Sequence, residues 1–251
     1  LPAFEAVLVL AAGRGTRLGG PKALANITND GRPWWLVQRE RLAGVAARLG
    51  EPDRGGPGLT IVWVAGPEVA AALRDPQGAS IPDRATHPAA AGDALVAVPR
   101  AEGPGTGSGA APMFHSLHLG LEALERTMPG CSSVAGVFVL PIDVPAPHPG
   151  AWLALRDAAR GEQTTPPRPT VPTINGRRGH PVYLPWAWAA ANVLAPARAL
   201  GPAADQTLRL DTLIAEAAVA VPVDDPDTLT NLNTPAAVAA WAARSTRSGG
   251  A

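Results

Sequence analysis

Lysine is almost missing from this chain. Of its 21 basic residues one is lysine, Lys22, and arginine carries every other side-chain positive charge. A composition rich in Arg, Ala and Pro reads as a codon bias, and against that bias one lysine stands beside a glycine loop. A compact point charge on a flexible stem suits a tight phosphate contact better than the planar fork of arginine. Cysteine is nearly absent as well. Cys131 stands alone, so no intrachain disulfide can form; it reads as a half-buried loop residue, and a cytoplasmic setting is expected. Net charge is zero, which excludes a broad electrostatic footprint for nucleic acid or an anionic membrane. The longest apolar runs, such as AWAAANVLA, fall well short of a membrane span, and no secretory leader is expected. Zinc spacing of Cys and His is absent. His115 and His118 are three apart with no third ligand and read as surface residues. Ser108 and Ser116 lack the G-x-S-x-G elbow, so a protein nucleophile is not expected.

What is present is VLVLAAGRGTRLGGPKAL, from Val7 to Leu24. An apolar run empties into glycines, whose backbone N–H groups can approach an anion. Three loop types compete. Walker A needs Gly-Lys followed by Ser or Thr, but Lys22 lies between Pro21 and Ala23, and Pro21 removes a donor. The dinucleotide fingerprint needs a third glycine where Leu18 stands. The third type is the nucleotidyltransferase loop, and the rest of the chain must decide.

The 251 residues suffice for one α/β domain or two small ones. Glu5 to Ala11 reads as a buried strand and 12–21 as the loop. A helix from Trp34 stops at Gly50, LTIVWVAG is a second strand ending in Gly66, and Pro67 starts a helix. Residues 75–111 are expected to hold one short strand and a mobile loop near PGTGSGAAP. MFHSLHLGLEALERT is an amphipathic helix, VAGVFVLPIDVP a third buried strand carrying one acid, Asp143, and HPGAWLALRDAAR a further helix. Extended arms around Asn175-Gly176 signal a hairpin. Ala- and Pro-rich helices, the strand AVAVPV, a loop and a last helix follow. One domain over 1–244 is expected, with 245–251 as a disordered tail. Strand–helix alternation predicts a mostly parallel sheet, mixed by the inserted hairpin, with helices on both faces. In such sheets ligands sit beyond the carboxyl ends of the strands, which places the loop, Gly66 and Asp143 on one rim.

A glycine loop, one lysine and one acid suit a triphosphate with magnesium, a hard cation that takes one or two protein oxygens and keeps several waters. Nucleotidyl transfer then needs mainly positioning and charge stabilisation. Two other classes compete: a GT-A-like glycosyltransferase, against which PIDV offers one acid where D-x-D is usual, and a non-catalytic nucleotide-binding module. Asp143 reads as a metal ligand rather than a strand-end turn residue. Asn231 and Asn233, just before a helix with Pro near its start, can cap that helix, and His180 can pack beside the hairpin. Trp34 and Trp35 read as core and rim of a helix rather than a base platform.

LAAGRGTRLGGPKAL resembles the signature of the MobA-like nucleotidyltransferase superfamily, and five further segments resemble its motifs in order: GRPWWLVQRERLAG, PMFHSLHLGLEAL, FVLPIDVP, INGRRGHPVYLP and TNLNTPAAV. The resemblance implies one Rossmann-like domain of GT-A type that moves a nucleoside monophosphate from a nucleoside triphosphate to a phosphorylated acceptor. Leu10, Ala11, Ala12, Gly13, Arg14, Gly15 and Gly66 would hold the nucleotide, and Arg17 and Lys22 the triphosphate. Asp143 would bind Mg2+ with Asn233 or Asn231. Ser116, Arg178, Gly179 and His180 would lie near the acceptor. LAAG with RRGHP points to the molybdenum cofactor cytidylyltransferases, whereas Asn231-Leu-Asn233-Thr-Pro is closer to the guanylyl branch. CTP is favoured, with molybdopterin cofactor as acceptor and a molybdoenzyme or its chaperone receiving the product. A sugar phosphate or another small phosphorylated acceptor is the alternative.

Overall fold

The computed structural model of the chain describes residues 4–13, 15, 18–27, 31–49, 59–74, 93–98, 113–127, 134–161 and 167–248. Cys131, Ser108 and the loop near PGTGSGAAP lie outside them, as do Arg14 and Arg17.

Among the described residues, eight strands form one sheet. β1 (Phe4–Ala11), β2 (Leu59–Ala65), β3 (Ala94–Ala97) and β4 (Val134–Pro141) run parallel in the order β3-β2-β1-β4. β3 is the short strand expected within 75–111. Beyond β4 the sheet turns mixed. β5 (Thr170–Ile174), β6 (Arg177–Arg178) and β7 (Val182–Pro185) bring antiparallel pairs, and β8 (Val219–Pro222) runs parallel to β5. Asn175 and Gly176, both at positive φ, close the hairpin as read from the sequence. Its second arm is divided: β6 and β7 are separated by Gly179-His180-Pro181, where proline has no N–H to give the ladder.

The helices are α1 (Trp34–Leu49), α2 (Pro67–Leu73), α3 (Met113–Thr127), α4 (Pro149–Gly161), α5 (Trp186–Ala189), α6 (Ala195–Leu200), α7 (Ala204–Thr207), α8 (Leu210–Ile214) and α9 (Pro235–Ser248). A π-helical turn, Ala190–Leu194, joins α5 to α6. Because side chains alternate across a strand, β1 sends Val7, Val9 and Ala11 into one core and Ala6, Leu8 and Leu10 into another. The first core takes α1, α2, α4 and Trp241 of α9; the second takes α3 and α5 to α8. Both faces are therefore covered, which is why the central strands lack a polar face. Among the described residues no helix is long and apolar enough to cross a membrane.

The chain end differs from expectation. α9 continues through Ser248, past the boundary expected at residue 244. No helix breaker intervenes before Gly249-Gly250, and Ser245 Oγ donates to the Trp241 carbonyl one turn earlier.

Candidate active site

Strand order reverses beside β1: the chain builds β2 and β3 on one side and then returns to place β4 on the other. The carboxyl ends of β1 and β4 thus flank a topological switch point, where open α/β sheets leave a crevice. A cleft of about 180 Å³ lies there, lined by Leu10, Ala12, Gly13, Gly15, Lys22, Met113, Ser116, Pro141, Ile142 and Asp143.

The loop after β1 closes on itself. The Gly15 carbonyl accepts from Leu18 N at 2.8 Å. Gly15 adopts φ +58°, and a Cβ there would collide with the Gly20 carbonyl and come within 2.9 Å of Lys22 N. Glycine is thus required both for the backbone conformation and for the close return of the chain. That return aims Lys22 across the cleft. Its Nζ donates to Asp143 Oδ2 at 2.7 Å and also to Asn233 Oδ1. Lys22 and Asp143 side chains are 19% and 16% exposed, so the pair is partly shielded yet open to a ligand.

Asp143 is delivered by the end of β4, and its carbonyl accepts from Leu232 N at 2.7 Å. This bond ties the 231–233 segment to Asp143 and sets Asn233 beside it. Leu232 is fully buried, whereas Asn231 on the other side of it is exposed. The cap of α9 is Thr234, whose Oγ1 accepts from Ala237 N at 3.2 Å. Of the two asparagines, only Asn233 reaches the Lys22–Asp143 pair. His180 is also drawn in. Its Nδ1 is buried without a hydrogen-bond partner, and burial lowers the imidazole pKa while the Asp143 carboxylate opposes that shift.

Other expected positions fall elsewhere. Ala11 points into the core on the first face rather than into the cleft, because its neighbours Leu10 and Ala12 take the opposite face. Gly66 does not line the cleft but packs against the loop backbone, where a Cβ would lie 3.4 Å from the Ala12 carbonyl. Arg178 is exposed and donates to the Ala215 carbonyl at 2.9 Å. Gly179 is pressed on the Thr228 carbonyl and serves the backbone crossing there. Ser116 is buried at the cleft wall. His115 and His118 face Asp205 and Glu122, at 2.8 and 3.5 Å. Trp34 and Trp35 are buried in the first core.

Asp143 and Asn233 place two hard oxygens around one ammonium. Among the described residues there is no group of three or more His, Cys, Asp or Glu that could hold a metal. A carboxylate and an amide oxygen converging on one positive charge fit a divalent ion that takes its remaining ligands from water and phosphate.

The model of one family, the MobA-like NTP transferase domain, matches residues 7–220. The chain belongs to this family. Membership makes it a nucleotidyltransferase, of a family whose members use a divalent metal. Solved structures share the fold. A nucleotidyl transferase from Methanothermobacter thermautotroptrophicus aligns with TM-score 0.60 at 17% identity, covering 98% of this chain and 99% of that one. The 4-diphosphocytidyl-2C-methyl-D-erythritol synthase of Anaerococcus prevotii gives 0.58 at 12% identity, over 97% and 99%. Molybdopterin-guanine dinucleotide biosynthesis protein A of Archaeoglobus fulgidus gives 0.55 at 15%, over 96% and 99%. No curated protein matches the chain in sequence.

Two contributors to the site escape sequence reasoning. One is the backbone of Leu232. The other is a stripe on α1: Trp34 Nε1 donates to the Ile142 carbonyl at 2.5 Å, and Gln38 Nε2 donates to the Val144 carbonyl at 2.7 Å. A glutamine in an otherwise apolar helical stripe was the available signal, since a buried polar side chain requires partners.

Proposed function

We propose that this nucleotidyltransferase moves CMP from CTP to a phosphorylated small molecule, with molybdopterin cofactor as the preferred acceptor and Mg2+ as the ion. The observation that carries the reading is the meeting of Lys22, Asp143 and Asn233 at the switch-point cleft. An acceptor phosphate oxygen attacks the α-phosphorus of the nucleotide. A new phosphorus–oxygen bond forms, the bond to the bridging oxygen of the β-phosphate breaks, and pyrophosphate leaves with that electron pair. No protein nucleophile is needed, and the chain's part is positioning and charge stabilisation.

The loop backbone at Gly13 and Gly15 would cradle the phosphates. Lys22 would exchange its contacts with Asp143 and Asn233 for a phosphate oxygen. These two side chains would hold the metal, which supplies counter-charge to the phosphates. His180, biased toward its neutral form, would meet the acceptor with Ser116. Arg14 and Arg17 keep their triphosphate roles from the resemblance alone. Arg178, engaged with Ala215, would have to turn to reach an acceptor. LAAG with RRGHP supports CTP; Asn231-Leu-Asn233-Thr-Pro supports GTP as the second reading.

The test is pyrophosphate release with each of the four ribonucleoside triphosphates, Mg2+ and molybdopterin cofactor. Release with CTP is the expected result. Release with GTP selects the second reading. Release only when a sugar phosphate replaces the cofactor overturns the acceptor, and no release under any condition overturns the whole proposal.

A further inference from the structure

The segment that carries Asp143 is hydrogen-bonded along its length, and four of those bonds are made with one helix. Ile142 N donates to the Leu10 carbonyl at 3.1 Å, and Val144 N to the Pro141 carbonyl at 3.1 Å. The Asp143 carbonyl is taken by Leu232 N. Further groups are met by α1. Trp34 Nε1 donates to the Ile142 carbonyl, Gln38 Nε2 to the Val144 carbonyl, and Arg41 Nε to the Ala146 carbonyl at 2.8 Å. Gln38 is satisfied at both ends of its amide, because Oε1 accepts from Ala146 N at 2.8 Å. Positions 34, 38 and 41 share one helix face, so a single rigid rod grips alternate carbonyls along the loop.

Gln38 and Trp34 are fully buried. A glutamine so placed is restricted to one geometry, since leaving either amide group unpaired would carry a desolvation cost. The grip brackets Asp143: Trp34 holds the residue before it and Gln38 the residue after it. On the far side the Leu232 bond holds the neighbour of Asn233. The separation between the Asp143 carboxylate and the Asn233 amide oxygen is therefore determined by α1 on one side and the 231–233 segment on the other.

We infer that Gln38, aided by Trp34, is a positioning residue that sets the spacing of the two metal-facing oxygens, without itself touching substrate or metal. The inference rests on the proposed role of Asp143 as a metal ligand. Residues one layer behind metal ligands commonly alter affinity or activity by about 10–100-fold when removed.

The test measures Mn2+ binding to the whole protein without nucleotide, by electron paramagnetic resonance, alongside melting temperature. Four variants are compared with the parent: Gln38→Leu, Trp34→Phe, Asp143→Ala and Thr170→Val. Thr170 Oγ1 donates to the Leu155 carbonyl at 2.9 Å in the fully buried interior, so its loss reports stability alone. Gln38→Leu should weaken Mn2+ binding by about 10–100-fold and Trp34→Phe by a smaller factor, whereas Thr170→Val should leave it unchanged. In turnover, Gln38→Leu should raise the metal concentration needed while the KM for nucleotide at saturating metal stays near the parent value. If Gln38→Leu does not fold, Trp34→Phe decides, since it deletes one donor and keeps an aromatic ring in place. Parent-like Mn2+ binding in the folded variants, with only a lowered melting temperature, overturns the positioning role. Parent-like binding in Asp143→Ala overturns the reading of the metal site itself, a separate failure.

Discussion

The sheet carries an ion-pair cluster at each end, and the two differ in nearly every physical respect. At the carboxyl end, Lys22, Asp143 and Asn233 meet in a cleft, and each could exchange partners with a ligand. At the amino end, Glu5 is fully buried beside Arg156 and Arg160. Arg160 Nη2 lies 3.1 Å from Glu5 Oε1, while Glu5 Oε2 and Arg156 Nη1 are buried without hydrogen-bond partners, 3.9 Å apart. Burial pushes the Glu5 carboxyl above its ordinary range, with the two arginines opposing the shift. The Tyr183 phenol beside it is pushed up by burial and by the Glu5 charge. One cluster has its carboxylate where a ligand can use it; the other holds a fully buried carboxylate against the cost of desolvation. The amino-end cluster is therefore expected to govern stability and the carboxyl-end cluster turnover.

Changes at the cleft should break this contrast most sharply. Asp143→Ala should lower turnover by a factor on the order of 10²–10³, by analogy with losses of single charge-stabilising groups. Its melting temperature should stay within several degrees of the parent, because Lys22 keeps its contact with Asn233 and its access to solvent when the carboxylate is lost. Parent-like turnover, followed by pyrophosphate release, would remove Asp143 from the mechanism. Lys22→Arg should have a smaller effect, roughly 10–100-fold in kcat/KM, because the broad fork does not fit between Asp143 and Asn233 in the space the ammonium occupies. Full activity in that variant would make the lone lysine a coincidence of composition.

The smallest effect belongs to the amino end. A carboxyl whose folded pKa lies above its unfolded value binds more protons folded than unfolded. Stability then falls as pH rises from the ordinary glutamate range through the raised folded value. Asp93 and Asp227, also raised by burial, act in the same direction, so the difference between two proteins isolates Glu5. Glu5→Gln should flatten this part of the melting-temperature profile above the ordinary glutamate range, by a few degrees at most, and leave turnover unchanged. An unchanged slope would show that Glu5 is not raised, and lost turnover would show that the two ends are coupled.

The legible parts of the site were those written in local chemistry. Gly13, Gly15 and Lys22 share one loop, and Asp143 follows an unmistakable buried strand, so parallel-sheet geometry alone brought them to one rim. Asn231 and Asn233 were not separable in sequence, because either could cap or ligate. The burial of Leu232 and the cap at Thr234 separate them in the fold. Arg178 and Gly179 lay in a motif but at a break between strands, and strand register decides where such side chains point. Gln38 went unread because its partners are backbone groups more than a hundred residues away.

By itself the sequence determined the alternation of buried strands and helices, the glycine turn after β1, the hairpin at Asn175-Gly176 and the family. Each is encoded within a few neighbouring residues, through periodicity, positive-φ positions and the order of short motifs. Only the tertiary structure decided that Lys22 lies against Asp143 and Asn233, that Leu232 ties its segment to the Asp143 carbonyl, and that α1 grips the Asp143 loop. All three depend on strand order and on hydrogen bonds between segments distant in the chain, which no local pattern records.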